Sequence, residues 1–187
     1  MHNEGNSNGR LIWREESRKG VFKCPVFSVQ EHTCRSPDNE LRVFTVLDAP
    51  DWAIVVPVLE TEAGKRFVMV RQWRHGSQGL SLEFPGGVLE TRETAEAGAA
   101  RELQEETGYT AGKIRKLGEF NPNPAIMSNR VHIFLAEDLK LTAGQDLDED
   151  EYVAVELTPV DEVFRGMGSP PYIHALMGSA LALYRFS

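Results

Sequence analysis

Three glutamates on one short helical face, set behind a pair of glycines, constrain this chain more than any other feature. From about Thr94 to Thr107 the sequence is rich in Ala, Glu, Leu and Gln, which favour helix. Thr94 is suited to cap the start and Gly108 to stop the end. At roughly 100° per residue, Glu102, Glu105 and Glu106 share an arc of about 100°. Like charges at i,i+4 repel by a few tenths of a kcal/mol in water, and by more when partly buried. A cation relieves that repulsion, and clustered carboxylate oxygens suit hard divalent ions, Mg2+ or Mn2+. Just upstream, Phe84-Pro85-Gly86-Gly87 has loop composition. Its glycines let the backbone turn tightly enough to aim a carbonyl oxygen at the same ions. A lone ExxEE would read as an ordinary solvated face; the residues around it argue against that reading.

The chain has 187 residues, enough for one domain with a real core. Its 20 basic and 28 acidic residues leave a net charge of −8. That balance speaks against nucleic acid as a partner, and requires an anionic substrate to be met by local cations or metal ions. No apolar run approaches the roughly 18 residues needed to span a membrane. The Met1–Gly9 stretch has no basic or apolar leader segment, and Cys24 and Cys34 form no CxxC, so a reducing cytoplasm is the expected compartment.

The pattern predicts a frayed tail over 1–9, then strands over Val21–Val29 and Leu41–Leu47 separated by a turn at Ser36–Asn39. Strands over Ala53–Val58 and Arg66–Trp73 are joined by a hairpin loop at 60–64. Beyond the acidic helix come strands over Val131–Ala136 and Tyr152–Leu157. A short helix then opens at Thr158-Pro159, and a final amphipathic helix carries Ile173, Leu176, Met177, Ala180 and Leu181 on one face. Strands before and after a central helix imply a mixed α/β layer structure. His75, His132 and His174 lack ligand spacing and read as ordinary surface or core histidines.

The spacing around the acidic helix is Gly87, five residues, Glu93, seven residues, then Arg101-Glu102-Leu103-Gln104-Glu105-Glu106-Thr107-Gly108-Tyr109. Seven fixed residues at about one in seventeen each, with two apolar slots, give a chance match of order 10⁻⁹ per window. This stretch resembles the signature box of the Nudix hydrolases at every fixed position, with Tyr109 in the last apolar slot. Gln72-Trp73-Arg74 and Leu82-Glu83-Phe84-Pro85-Gly86-Gly87 are similar to the lead-in of the ADP-ribose and nucleotide-sugar pyrophosphatase branch. Phe134-Leu135-Ala136 and Glu149-Asp150-Glu151 also fit that branch, so the likeness spans roughly residues 40–165.

The resemblance implies an α/β/α sandwich with a mixed sheet, the catalytic domain over 49–187 and a small N-terminal β extension over 10–48 that exchanges across a homodimer. It implies hydrolysis of the phosphoanhydride of a nucleoside diphosphate linked to a sugar, ADP-ribose or a relative, with two or more Mg2+ or Mn2+ ions. By the family pattern Glu102 and Glu106 are the primary ligands, Glu105 assists, and the Gly86 carbonyl completes the site. Glu149 or Glu151 is the general base or holds a further metal. Arg74 contacts phosphate or the terminal sugar, and Glu83 makes metal-associated or ribose contacts. Trp13 matches an aromatic that stacks on adenine. Gly87, Glu93, Arg101 and Gly108 are structural, with Glu93 and Arg101 forming a loop-to-helix ion pair. Where the branch carries Ser-Pro-Gly, this chain has Asn121-Pro122-Asn123-Pro124-Ala125: Pro124 stands at the expected distance, but the substrate-side chemistry differs. A triphosphate or dinucleoside polyphosphate hydrolase, and a nucleotide sensor that does not cut, are the alternatives.

Overall fold

Strand β4 (Trp52–Thr61) carries the unbroken apolar run Ala53–Val58, all of it buried. A strand covered on both faces reads this way, rather than as an alternation of apolar and polar residues. Its odd residues Ala53 and Val55 pack with Ala99, Leu103, Phe134 and Ala136. Its even residues Ile54, Val56 and Val58 pack with Val163, Met177 and Leu181 on the opposite face. The computed structural model describes residues 7–149 and 151–187; residues 1–6 of the expected tail lie outside it, and Ser7–Leu11 forms a single turn of 3-10 helix.

Around β4 are β5 (Gly64–Arg74), β6 (Gly79–Glu83), β7 (Gly86–Val88), β8 (Tyr109–Phe120), β9 (Val131–Leu141) and β10 (Val153–Pro159). The seven-stranded sheet runs β10-β5-β4-β9-β8, with β6 on β5 and β7 on β4. Among the described strands of this sheet only β4 and β9 pair in parallel. Helix α1 (Ala95–Thr107) covers one face, and α2 (Val160–Gly166) with α3 (Ala175–Arg185) the other, an α/β/α sandwich.

The sheet is forked, and the fork positions everything that follows. β4 and β5 pair only over Val58–Thr61 and Gly64–Phe67. Beyond that they diverge, β6 pairing with β5 from Val70 to Arg74 and β7 with β4 from Trp52 to Ile54. Phe84-Pro85 bridges the gap, the Pro85 carbonyl accepting the Val55 N–H at 2.9 Å. The segment expected to be wholly loop thus ends as a short strand, Gly86–Val88 pairing antiparallel with Trp52–Ile54 of β4.

Among the described residues, 7–50 and 121–129 cluster as one compact unit, and those of 51–120 and 130–187 as another. The first contains the antiparallel sheet β1 (Arg14–Lys23), β2 (Ser28–Arg35) and β3 (Leu41–Asp48). The single strand expected over Val21–Val29 is two strands, broken where the Cys24 N–H meets the Phe27 carbonyl at 3.0 Å around Pro25, which has no N–H to offer a ladder. The 121–129 segment is tied to β3 through Leu47 N–H to the Ile126 carbonyl at 2.7 Å and the Ser128 hydroxyl to Asp48 at 2.7 Å. No described helix is long and apolar enough to cross a membrane.

Candidate active site

α1 begins where the Thr94 hydroxyl accepts the Ala97 N–H at 3.2 Å, and ends at Gly108, left-handed at φ 74°, whose N–H returns to the Gln104 carbonyl. Its apolar stripe, Ala99 and Leu103, is pressed onto β4 and β9. That docking turns Glu102 and Glu106 toward the fork in the sheet. Glu106 is 4% exposed, and its Oε2 accepts the Gly86 N–H at 2.8 Å. Gly86 admits no side chain: a Cβ would stand 2.2 Å from the Ala53 carbonyl oxygen. At Gly87 a Cβ would stand 2.6 Å from Glu102 Oε1, so the carboxylate occupies the room the missing side chain leaves.

Charge is unbalanced at this spot. Burial pushes the Glu106 carboxyl up to about 8, against the opposing Gly86 N–H, and the Glu102 and Glu151 charges push the same way. Burial also raises Glu102, against Arg101. Arg101 counters the outer part of the cluster. Its Nε and Nη2 grip both oxygens of Glu93 at 3.0 and 3.1 Å, while Nη1 donates to Glu102 Oε1 at 2.9 Å and Glu105 Oε2 at 2.8 Å. Nη2 also reaches the Val88 carbonyl at 3.2 Å. One guanidinium therefore joins the loop, β7 and the helix, and draws Glu102 and Glu105 toward itself. Among the described residues no three acidic, histidine or cysteine side chains close on one point.

The donors nonetheless suit a hard cation. Three carboxylates share one helical face, Glu106 is held against a tight backbone turn, and Glu102 sits in a cradle that any Cβ would fill.

The acidic loop is moored to the end of α1, where helical carbonyls lack internal partners. The Asp146 N–H takes the Glu105 carbonyl at 2.9 Å. Gln145 Nε2 donates to the carbonyls of Glu106 at 2.6 Å and Val153 at 3.1 Å. Glu151 turns back on Asp148, and its charge is felt at Glu102, Glu106 and Arg74. Glu149 is exposed. Asp150, within the same expected loop, lies outside the described residues.

Arg74 ends β5 and Glu83 ends β6, and they form a two-pronged pair: Nε to Oε1 at 2.9 Å and Nη2 to Oε2 at 2.6 Å. Sequence reasoning missed a third member, His174, whose Nδ1 stands 3.0 Å from Glu83 Oε2. Ninety-one residues separate the two, and no local spacing could have signalled the contact. Trp13 and Pro124 belong to the other compact unit. There Trp13 packs edge-on against Phe44, ring centres 5.1 Å apart, and Pro124 is exposed.

Residues 50–177 match the family described as NUDIX domain. The ADP-ribose pyrophosphatase of Bacillus subtilis (strain 168) is 33% identical over 150 residues, 80% of this chain and 80% of that one. The methanol dehydrogenase activator of Bacillus methanolicus is 30% identical over 147 residues, 78% of this chain and 77% of its own. A solved structure of an ADP compounds hydrolase shares the fold, with a TM-score of 0.81 over 93% of this chain and 92% of that one at 22% identity.

Proposed function

The chain belongs to the NUDIX domain family, and on that premise we propose that it is a divalent-metal-dependent pyrophosphatase of nucleoside diphosphate sugars. ADP-ribose is the leading substrate, with a nucleoside monophosphate and a sugar phosphate as products. The observation that carries this reading is the acidic face of α1, with Glu102 and buried Glu106 against the Gly86-Gly87 turn and surplus negative charge among them. Glu102 and Glu106, with the Gly86 carbonyl and assistance from Glu105, would hold Mg2+ or Mn2+, two or more ions in turnover. Ions so held supply neutralisation of the diphosphate, a more acidic water and a sink for charge on the departing phosphate.

The chain's own groups do the rest. Glu151 accepts the proton of the attacking water on a carboxylate oxygen; its charge reaches the metal-binding face, which favours it over Glu149. Arg74 spends its Nε–H and one Nη2–H on Glu83 and keeps its remaining N–H groups for phosphate or the terminal sugar. Glu83 fixes that orientation. Gly87, Glu93, Arg101 and Gly108 hold the loop and helix in register. Trp13 and Pro124 are candidate contacts for the base and the sugar.

The proposal extends to a homodimer and a cytoplasmic setting. The β1–β3 unit exposes the apolar side chains Val21, Phe22, Leu41, Val43 and Phe44, some of which a second copy would cover. Both cysteines are free. Light scattering of the purified chain reads the mass directly. Incubation with Mg2+ and a panel of nucleotide sugars, nucleoside triphosphates and dinucleoside polyphosphates, with products resolved by chromatography, tests the reaction. AMP and ribose phosphate from ADP-ribose support it. Triphosphate cleavage alone, or ligand binding without cleavage, overturns it.

A further inference from the structure

Glu83 is 1% exposed, and a carboxylate so deeply buried is tolerable only when its charge is matched and its oxygens are occupied. Oε1 takes the Nε–H of Arg74, and Oε2 is approached by both Arg74 Nη2 at 2.6 Å and His174 Nδ1 at 3.0 Å. Burial alone would raise the Glu83 carboxyl; Arg74 and His174 together reverse this and hold it well below the usual carboxylate range.

His174 reaches this point from a strap between α2 and α3. The Pro171 carbonyl accepts the Leu82 N–H at 3.0 Å, fastening the strap to β6 one residue before Glu83. Buried Tyr172 anchors it on the other side, its hydroxyl donating to Glu162 at 2.8 Å. His174 occupies the N-cap of α3, where Ser, Thr, Asp or Asn would bond the first free N–H groups. Its side chain makes no such bond and is directed to Glu83 instead. A residue poorly suited to capping, delivered by a doubly fastened strap to a buried carboxylate, is placed for that carboxylate.

We propose that His174 is a positioning residue: it secures Glu83 as the fixed anion that aims the Arg74 guanidinium at the substrate. The inference rests on Arg74 being a substrate contact, as set out above. His174 itself touches no substrate, and acts through Glu83. Without it, Oε2 keeps one donor and the Arg74–Glu83 pair gains room to rotate, which weakens substrate capture more than the chemical step.

The test uses His174→Ala, His174→Asn and His174→Gln in the full chain. Asn carries an N–H donor where Nδ1 stands, Gln where Nε2 stands. KM and kcat for ADP-ribose are measured with Mg2+, and calorimetric affinity for ADP-ribose is measured separately with Ca2+ to suppress turnover. Ala and Gln are expected to raise KM and weaken affinity about tenfold with kcat changed less than about threefold, while Asn stays within about threefold of the parent throughout. Unchanged KM and affinity in Ala and Gln, or a loss in Asn as large as in Gln, overturns the proposal. Should the Ala protein fail to fold, the Asn–Gln contrast decides. If the parent binds ADP-ribose without cleaving it, the pyrophosphatase reading falls while the affinity series still judges His174, and a parent that neither binds nor cleaves it overturns both.

Discussion

Replacing Glu106 with Gln should stabilise the metal-free protein while abolishing its response to metal. Gln keeps the size of the side chain and an oxygen for the Gly86 N–H, so what changes is the charge. In the folded chain burial raises the Glu106 carboxyl from 4.5 to about 8. A carboxyl raised on folding leaves stability intact below its unfolded value and erodes it as pH climbs toward the folded one. At 1.36 kcal/mol per tenfold of proton affinity, the cost is about 3 kcal/mol at pH 7 and under about 1 kcal/mol at pH 5. For a chain of this length 3 kcal/mol corresponds to a Tm difference of about 10 °C. Scanning calorimetry in EDTA should therefore show Glu106→Gln melting well above the parent at pH 7 and close to it at pH 5. Added Mg2+ should then raise the parent, by about 2.7 kcal/mol at a hundred times Kd, and leave the variant nearly unmoved. A variant that melts below the parent in EDTA at pH 7, or gains as much from Mg2+, refutes the reasoning.

Other outcomes follow from the same geometry. Glu151→Gln should lower kcat by about 10²–10³ at unchanged fold while Glu149→Gln stays within a few-fold, measured side by side by product release. Gly86→Ala should cost more than about 2 kcal/mol in urea unfolding, because the new Cβ would meet backbone at Ala53 at 2.2 Å and backbone cannot rotate away. Arg101→Met strips the shared donor from Glu93, Glu102 and Glu105 and should destabilise the metal-free chain by about 2–3 kcal/mol, part of it regained with Mg2+, as thermal melting will show.

What was legible in the sequence is what local patterning determines. α1 runs within a residue of its expected ends because Thr94 and Gly108 are chemically specific signals. The Glu93–Arg101 contact spans one loop and two helical turns, close enough for spacing to suggest it. β1 was missed past its last residues because Arg14–Lys23 is exposed along its whole length, so nothing forces an alternation on it. β8 was missed because its charged residues, Lys113, Arg115, Lys116 and Glu119, face solvent while only Tyr109, Ala111, Ile114 and Leu117 pack inward. Ile173, expected on the last helix, precedes its N-cap because the Pro170-Pro171 strap delays the helix to Ala175. The part of the site that spacing could not reach is the His174–Glu83–Arg74 group, assembled from three separate elements by the fork in the sheet and the strap across it.

Anomalous scattering from manganese tests the central assignment most directly. Crystals grown with Mn2+ and a non-hydrolysable ADP-ribose analogue should show anomalous peaks at coordination distance from Glu102, Glu106 and the Gly86 carbonyl, with the diphosphate completing the shell. A map with the analogue bound and no manganese on that face of α1 would contradict the account.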